Sequence, residues 1–279
     1  MHHFKPKLQN MKKVLIGVLL IICVSSCKEK PKTIKEELIT ESYKPDADFD
    51  RIESDIKQWW EYHYKSINLS QNFVPLNEFS ETISKQEFLK SLTSGKYIAL
   101  KIETKKDSIE RYQLFKLSEK ADQAISSTIK DNALYAYKYF EMESKIFPEF
   151  EFTDLNGEVF NNESLKGKTT LIKTWFIQCT ACIAEFPELN ELVEKFKDRE
   201  DVLFISLALD SKSDLEKFLI KKKFNYKVVP DQYELITEKL GLKAYPTHLL
   251  INENGVILKV TNKFSDMIDY IEANDVLDK

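Results

Sequence analysis

The sequence predicts an α/β fold for its C-terminal half, a mixed central sheet flanked by helices, preceded by a separate N-terminal α+β domain. Three observations carry this. From Thr169 onward, apolar β-rich runs alternate with segments whose apolar residues recur every three or four positions. Near the end, Thr247 to Ile251 and Val256 to Val260 flank Asn254-Gly255, the strongest hairpin dipeptide in the chain. The chain has 279 residues, 43% of them hydrophobic, enough for one large domain or two small ones.

The chain opens on a segment with the character of an export signal. Met11-Lys12-Lys13 followed by Val14 to Val24 has a basic start and an apolar core too short for a comfortable membrane span. Met11 is a plausible initiator. The apolar core ends in Val24-Ser25-Ser26-Cys27, small residues ahead of a Cys, which resembles the bacterial lipobox. That resemblance implies a lipoprotein signal peptide over residues 1–26 and a lipidated Cys27, holding the protein on a membrane facing the periplasm, inner or outer undecided. A signal anchor that is not cleaved is the alternative, and it too puts the following chain outside the cytoplasm. Residues 27–46 are polar, with Pro31 and Pro45, and read as a flexible tether. The coil from Lys28 to Asp48 would span roughly 25 Å.

Residues 47–145 form the expected N-terminal α+β domain. Phe49, Ile52, Ile56, Trp59, Trp60 and Tyr64 share one face of a helix running from Phe49 to Tyr64. Asn68 to Ser80, with Pro75, reads as a loop, and Ser84 to Ser94 as a short helix stopped by Gly95. Tyr97 to Glu103 and Ile109 to Leu117 read as a hairpin around Lys105-Lys106-Asp107. A long helix follows from Glu119 to Ser144. No catalytic cluster is visible here, His63 reads as structural, and the aromatic content suggests a role in positioning a client or partner.

Residues 146–279 form the second domain. Phe150, Phe152 and the stretch Leu155 to Phe160 read as strand, turn and strand. Ser164 to Gly167 is a short turn or helix, Thr169 to Phe176 a buried strand, and Ile183 to Phe196 a helix. Val202 to Ala208 is a second buried strand, followed by a helix over Asp214 to Lys222 and a strand over Tyr226 to Val229. Gln232 to Leu240 is a helix stopped by Gly241, and Phe264 to Leu277 closes the chain as a helix after the hairpin.

The chemistry sits where the buried strand turns into a helix, at Cys179-Thr180-Ala181-Cys182. Free N–H groups and the positive dipole end at a helix start favour a thiolate, and the pKa of Cys179 could fall from about 8.5 toward about 7. Cys182, one turn on, would be more enclosed and within reach to close a disulfide, so one sulfur attacks and the other resolves. Cys23 would leave with the signal and Cys27 would carry lipid, so no other thiol remains. The competing readings are two core cysteines or half a zinc site. A structural zinc site needs four ligands, and outside the expected signal peptide and Cys27 no second Cys or His pair exists. No metal or other cofactor is called for. The net charge of −4 and the mixed charge pattern give nucleic-acid binding no support.

Residues 146–279 resemble the thioredoxin superfamily, and within it the TlpA/ResA-type thiol–disulfide oxidoreductases of bacterial cell envelopes. The resemblance rests on Leu165-Lys166-Gly167-Lys168, Trp175 ahead of Cys179 and Cys182, Glu185-Phe186-Pro187, and Tyr245-Pro246-Thr247 before Leu249 to Gly255. It implies Cys179 as attacking and Cys182 as resolving thiol, the two forming the redox-active disulfide. It also implies a cis Pro246 facing them, backbone groups of Tyr245 for a bound substrate strand, and Glu185 assisting proton transfer. Trp175 and Gln178 are expected to border the substrate. Implied partners are disulfide-bearing exported proteins and a membrane thiol electron donor.

Two departures bear on redox potential: Gln178 stands where the family usually has Trp, and Thr180-Ala181 lacks the usual Pro. The N-terminal unit has no counterpart in the compact relatives. Two other activities compete. A peroxiredoxin-like thiol peroxidase wants Thr three residues before its Cys, where Phe176 stands. A thioredoxin-like copper-binding chaperone would need His248 beside the two thiols.

Overall fold

The computed structural model describes residues 44–104 and 109–277. The expected signal peptide, Cys27 and nearly all of the tether lie outside these residues. The described residues make one compact unit.

The first elements are α1 (Phe49–Glu53) and α2 (Ile56–Ser66). The sequence pattern runs through both as one helix, but Asp55 breaks it by turning extended and capping α2 through Gln58 N. A short strand, β1 (Val74–Leu76), follows where only a loop was expected. Its three residues are too few to show alternation, and Pro75 disguises it. Helix α3 (Lys85–Leu92) begins in a capping box between Ser84 and Glu87. It ends before Gly95, whose φ is +69° and whose added Cβ would lie 2.7 Å from the Ser126 carbonyl oxygen. Strands β2 (Tyr97–Ile102) and β3 (Arg111–Lys116) pair antiparallel, and β1 joins β3 in parallel. Helix α4 (Gln123–Met142) covers this three-stranded sheet, and Trp59, Phe88, Leu100, Tyr112 and Ile129 fill the core between them.

One carboxylate ties two of these helices. Asp122 caps α4 by accepting from Ala124 N at 2.9 Å and accepts from Ile56 N, the first residue of α2, at 3.0 Å. Each helix start would otherwise keep an orphan N–H. Asp122→Ala is therefore expected to cost about 2 kcal/mol, lowering Tm by about 4–8 °C, while Asp122→Asn, still a capping residue, loses less than half of that. Thermal unfolding of the three proteins checks this.

The remaining elements are β4 (Glu151–Thr153), β5 (Val159–Asn161), α5 (Asn162–Leu165), β6 (Thr169–Trp175), α6 (Thr180–Ala184), α7 (Phe186–Lys195), β7 (Val202–Ala208), α8 (Lys212–Leu219), β8 (Lys227–Val229), β9 (Thr247–Ile251), β10 (Ile257–Thr261) and α9 (Phe264–Ala273). Glu234–Lys239 is a π-helical turn rather than the expected α-helix, closed by Gly241 at φ +63°. The main sheet has the order β10-β9-β6-β7-β8, with β6, β7 and β8 parallel and β9 and β10 antiparallel. This is the mixed sheet of a thioredoxin-like fold.

Both faces of the sheet are covered, so β6 reads as a nearly unbroken buried run. Leu171, Trp175 and Leu250 point to one face, under α6, α7, α8 and α9. Ile172, Leu249 and Ile251 point to the other, under the π-helical turn. Tyr139 and Met142 at the end of α4 join this second core, so the long helix serves both sheets. The link after α4 runs along the free edge of β10: Ser144 N donates to Ile257 O at 2.7 Å and Ile257 N to Lys145 O at 2.8 Å. An edge strand is thereby covered by the chain's own backbone.

Candidate active site

Strand β6 ends at Trp175, and the backbone then turns through Phe176, Ile177 and Gln178 into α6. The turn is pinned at its middle, where Ile177 N donates to Asp210 Oδ2 at 2.8 Å just beyond β7. Cys179 is the N-cap of α6, and its Sγ accepts from Cys182 N at 3.2 Å. The two sulfurs are bonded, with the Cα atoms 5.2 Å apart. Cys182 is fully buried, whereas Cys179 keeps 8% of its surface. A partner can therefore reach only the first sulfur. The expected single helix after the cysteines is two: Glu185 ends α6 and begins α7, with Pro187 in the first turn of the latter.

The peptide bond between Tyr245 and Pro246 is cis. Tyr245 packs edge-on against Phe176 with ring centroids 5.4 Å apart, joining the loop before β9 to the loop that carries Cys179. Gln178 is exposed beside Cys179. Trp175 is not at the surface. It is fully buried against Phe186, Phe218 and Phe224, which corrects the expectation that it borders a substrate. The alternation of β6 turns its ring into the core that Leu171 also enters.

Behind the dithiol lies a charged cluster that the sequence reading assembled only in part. Lys173 on β6 and His248 on β9 stand opposite each other in the register, on the face covered by α7. Glu185 Oε2 accepts from Lys173 Nζ and lies 3.0 Å from His248 Nε2. The Lys173 side chain is wholly buried, whereas that of Glu185 keeps 18% of its surface. Burial depresses the Lys173 ammonium, opposed by the Glu185 charge. Burial likewise depresses His248, leaving it neutral and donating its Nε2–H. For Glu185 burial resists ionisation, but the hydrogen bonds from His248 and Lys173 and the Lys173 charge outweigh it and hold the carboxyl below its ordinary range. The outcome is an ionised carboxylate between an ammonium and a neutral imidazole, three residues after Cys182. The signal for Lys173 in the sequence is a lone charge at an inward position of an apolar strand.

On the opposite face, Thr247 follows the cis-proline and is tied down from three sides. Its N–H donates to Thr174 Oγ1 at 3.2 Å, its hydroxyl donates to Ala244 O at 2.7 Å, and Tyr139 OH lies 3.1 Å from that hydroxyl. Tyr139 belongs to α4, so the N-terminal unit reaches the proline loop directly.

The Redoxin family matches residues 142–277. The thiol-disulfide oxidoreductase ResA of Bacillus cereus is 30% identical over 127 residues, which cover 43% of this chain and 73% of that protein. The chain belongs to the ResA-type thiol-disulfide oxidoreductases. ResA of Bacillus subtilis is 29% identical over 129 residues, 46% of this chain and 72% of that protein. ResA of Halalkalibacterium halodurans is 27% identical over 111 residues, and there the chain spans 63% of the relative's length. Among solved structures, a putative protein disulfide isomerase from Bacteroides thetaiotaomicron is 22% identical with a TM-score of 0.45, covering 49% of this chain and 91% of its own. The Redoxin match covers the thioredoxin-like half and does not extend to residues 44–141.

Proposed function

We propose that this ResA-type protein reduces or exchanges disulfides of exported proteins through Cys179 and Cys182. The observation that carries the reading is the closed Cys179–Cys182 disulfide at a strand-to-helix turn, with the first sulfur reachable and the second enclosed. In the dithiol form the Cys179 thiolate attacks one sulfur of a client disulfide, and the other client sulfur leaves as a thiolate that takes up a proton. Cys182 then loses its proton, with Glu185 as acceptor, and attacks Cys179 Sγ. The second client thiolate departs and the internal disulfide closes, so two electrons pass to the client. Gln178, and Tyr245 with the cis Pro246, would flank the client strand. Two electrons from a membrane thiol carrier would restore the dithiol.

A lipid on Cys27 facing the periplasm fits this role, supported by the residues from Val24 to Cys27. Among the described residues no helix is long and apolar enough to cross a membrane. The direct test is insulin reduction in the presence of dithiothreitol. Wild type is expected to accelerate precipitation of the B chain at least tenfold over the Cys179→Ser variant. Equal rates would reject the assignment.

A further inference from the structure

The N-terminal unit and the thioredoxin-like half enclose a second concave site, and we infer that it binds a small aromatic anion. The cavity holds about 260 Å³, and of its lining only Tyr139, whose hydroxyl meets Thr247 after the cis-proline, is shared with the dithiol site. By proportion to a 150 Å³ cavity that accepts benzene, it takes about ten non-hydrogen atoms, with its open side leaving room for a few more. Its walls are Trp60 and Tyr64 from α2, Tyr135, Tyr139 and Phe140 from α4, and the corner between β10 and α9. Aromatic walls with a few polar groups are the usual make-up of a small-molecule site.

The charge is what selects an anion. Two lysines converge on one backbone oxygen: Lys85 Nζ donates to Ser70 O at 3.3 Å, and Lys259 Nζ donates to the same atom. Among the described residues one carboxylate touches the pair, Glu143, at 3.1 Å from Lys259. Lys85 is left with the carbonyls of Ser70 and Gln71 and the ring faces of Phe73 and Phe140. The second carboxylate of the lining, Asp266, is engaged by Asn68 Nδ2 at 2.9 Å and Thr261 Oγ1 at 3.4 Å. Lys263 adds a third cation, lying over the Tyr64 ring. His63 is held neutral by burial, its pKa down at about 4, so it contributes no charge. Burial and the neighbouring Lys259 charge, opposed by Glu143, bring the Lys85 ammonium down to about 8. That is the behaviour of a partly buried cation short of a counter-ion. Two buried polar atoms on lining residues, Ser70 Oγ and His63 Nδ1, have no hydrogen-bond partner among the described residues. A carboxylate beside Lys85 would supply the missing charge, and an attached ring would fill the aromatic part.

The probe is 2-naphthoate, with the uncharged isostere 2-naphthamide as its control, titrated calorimetrically into the oxidised protein. Naphthoate is expected to bind saturably at one site and at least tenfold more tightly than the amide. Lys85→Met is expected to abolish that preference while leaving insulin reduction unchanged. Ala136→Trp, which places an indole in the cavity from α4, is expected to abolish binding of both compounds and serves where Lys85→Met fails to fold. Failure of naphthoate to saturate, equal affinities for the acid and the amide, or a preference that survives Lys85→Met or binding that survives Ala136→Trp would each overturn the assignment. These readouts do not depend on disulfide exchange, so the two proposals stand or fall separately.

Discussion

Glu185→Ala is expected to cost the oxidised protein about 3–5 kcal/mol at pH 7, because it strands a buried ammonium. The Lys173 side chain has no exposed surface, and Glu185 is its ion-pair partner. Removing the carboxylate leaves the charge in place or forces the lysine to give up its proton. The pH dependence tells the two apart from a simple cavity. In the variant the folded pKa of Lys173 falls further below the unfolded value of about 10.4, so the unfolded state binds more protons across that interval and stability rises with pH. The deficit against wild type should therefore shrink between pH 7 and pH 9.5. In wild type the depressed Glu185 carboxyl acts in the opposite range. Its contribution is present above about pH 4.3 and is lost as pH falls through the folded pKa, and the variant lacks that acid limb. The double variant Lys173→Met with Glu185→Leu removes both charges and should recover most of the loss, since a buried pair is readily replaced by apolar residues of similar volume. Chemical denaturation of wild type, Lys173→Met, Glu185→Leu and the double variant at both pH values gives the coupling energy. Additive effects within about 0.5 kcal/mol, or a pH-independent deficit, would show that Lys173 is not held by this carboxylate.

The parts of this molecule that were legible in the sequence are those where one signal decides one structure. Val202 to Ala208 is a buried strand between turn residues, and β7 has those bounds. The Asn254-Gly255 turn gives the β9–β10 hairpin, with a register shift between Ile257 and Lys259. Cys179 and Cys182 mark their own site. Elements that depend on tertiary partners were less legible. The face shared by Phe49, Ile52, Ile56 and Trp59 does not reveal that Asp55 interrupts the helix to cap α2 and that Asp122 seizes Ile56 N. Likewise Ile183 to Phe196 keeps its helical spacing across Glu185, where the backbone nonetheless passes from one helix to the next. The adjacent Trp59 and Trp60 divide, the first into the core and the second to the rim of the cavity, because neighbouring positions on a helix point about 100° apart.

The active site shows the same division. Lys173 and His248 are 75 residues apart, and only the pairing of β6 with β9 sets them on either side of Glu185. Read singly, a lysine in an apolar strand is an anomaly and a histidine two residues past Pro246 a vague metal candidate. Brought together, they account for each other. The link from Tyr139 to Thr247 is equally invisible in one dimension, since α4 reads as an ordinary amphipathic helix until its last turns meet the second sheet.

Trp175→Ala separates the expected role of that residue from its observed one. A substrate-bordering Trp would raise KM when removed and leave stability nearly intact. A core Trp does the reverse. Trp175 has no exposed surface, and its ring contacts Phe186 at 5.1 Å, Phe224 at 5.7 Å and Phe218 at 6.0 Å between centroids. Phe186 and Phe224 in turn stack at 3.9 Å, so the indole closes one end of an aromatic column that also includes Tyr226. Truncation to Ala loses the transfer energy of the indole and leaves a cavity, about 3–5 kcal/mol together. Trp175→Phe keeps an aromatic ring and should cost less than half as much. Insulin reduction by the folded fraction, assayed at low temperature, is expected to keep its KM within twofold in both variants. Because Cys182 and Phe186 belong to the same core, kcat is the parameter that falls, as the helix carrying the cysteines loses the wall behind it. A stability change below about 1 kcal/mol combined with a tenfold rise in KM would return Trp175 to the substrate surface.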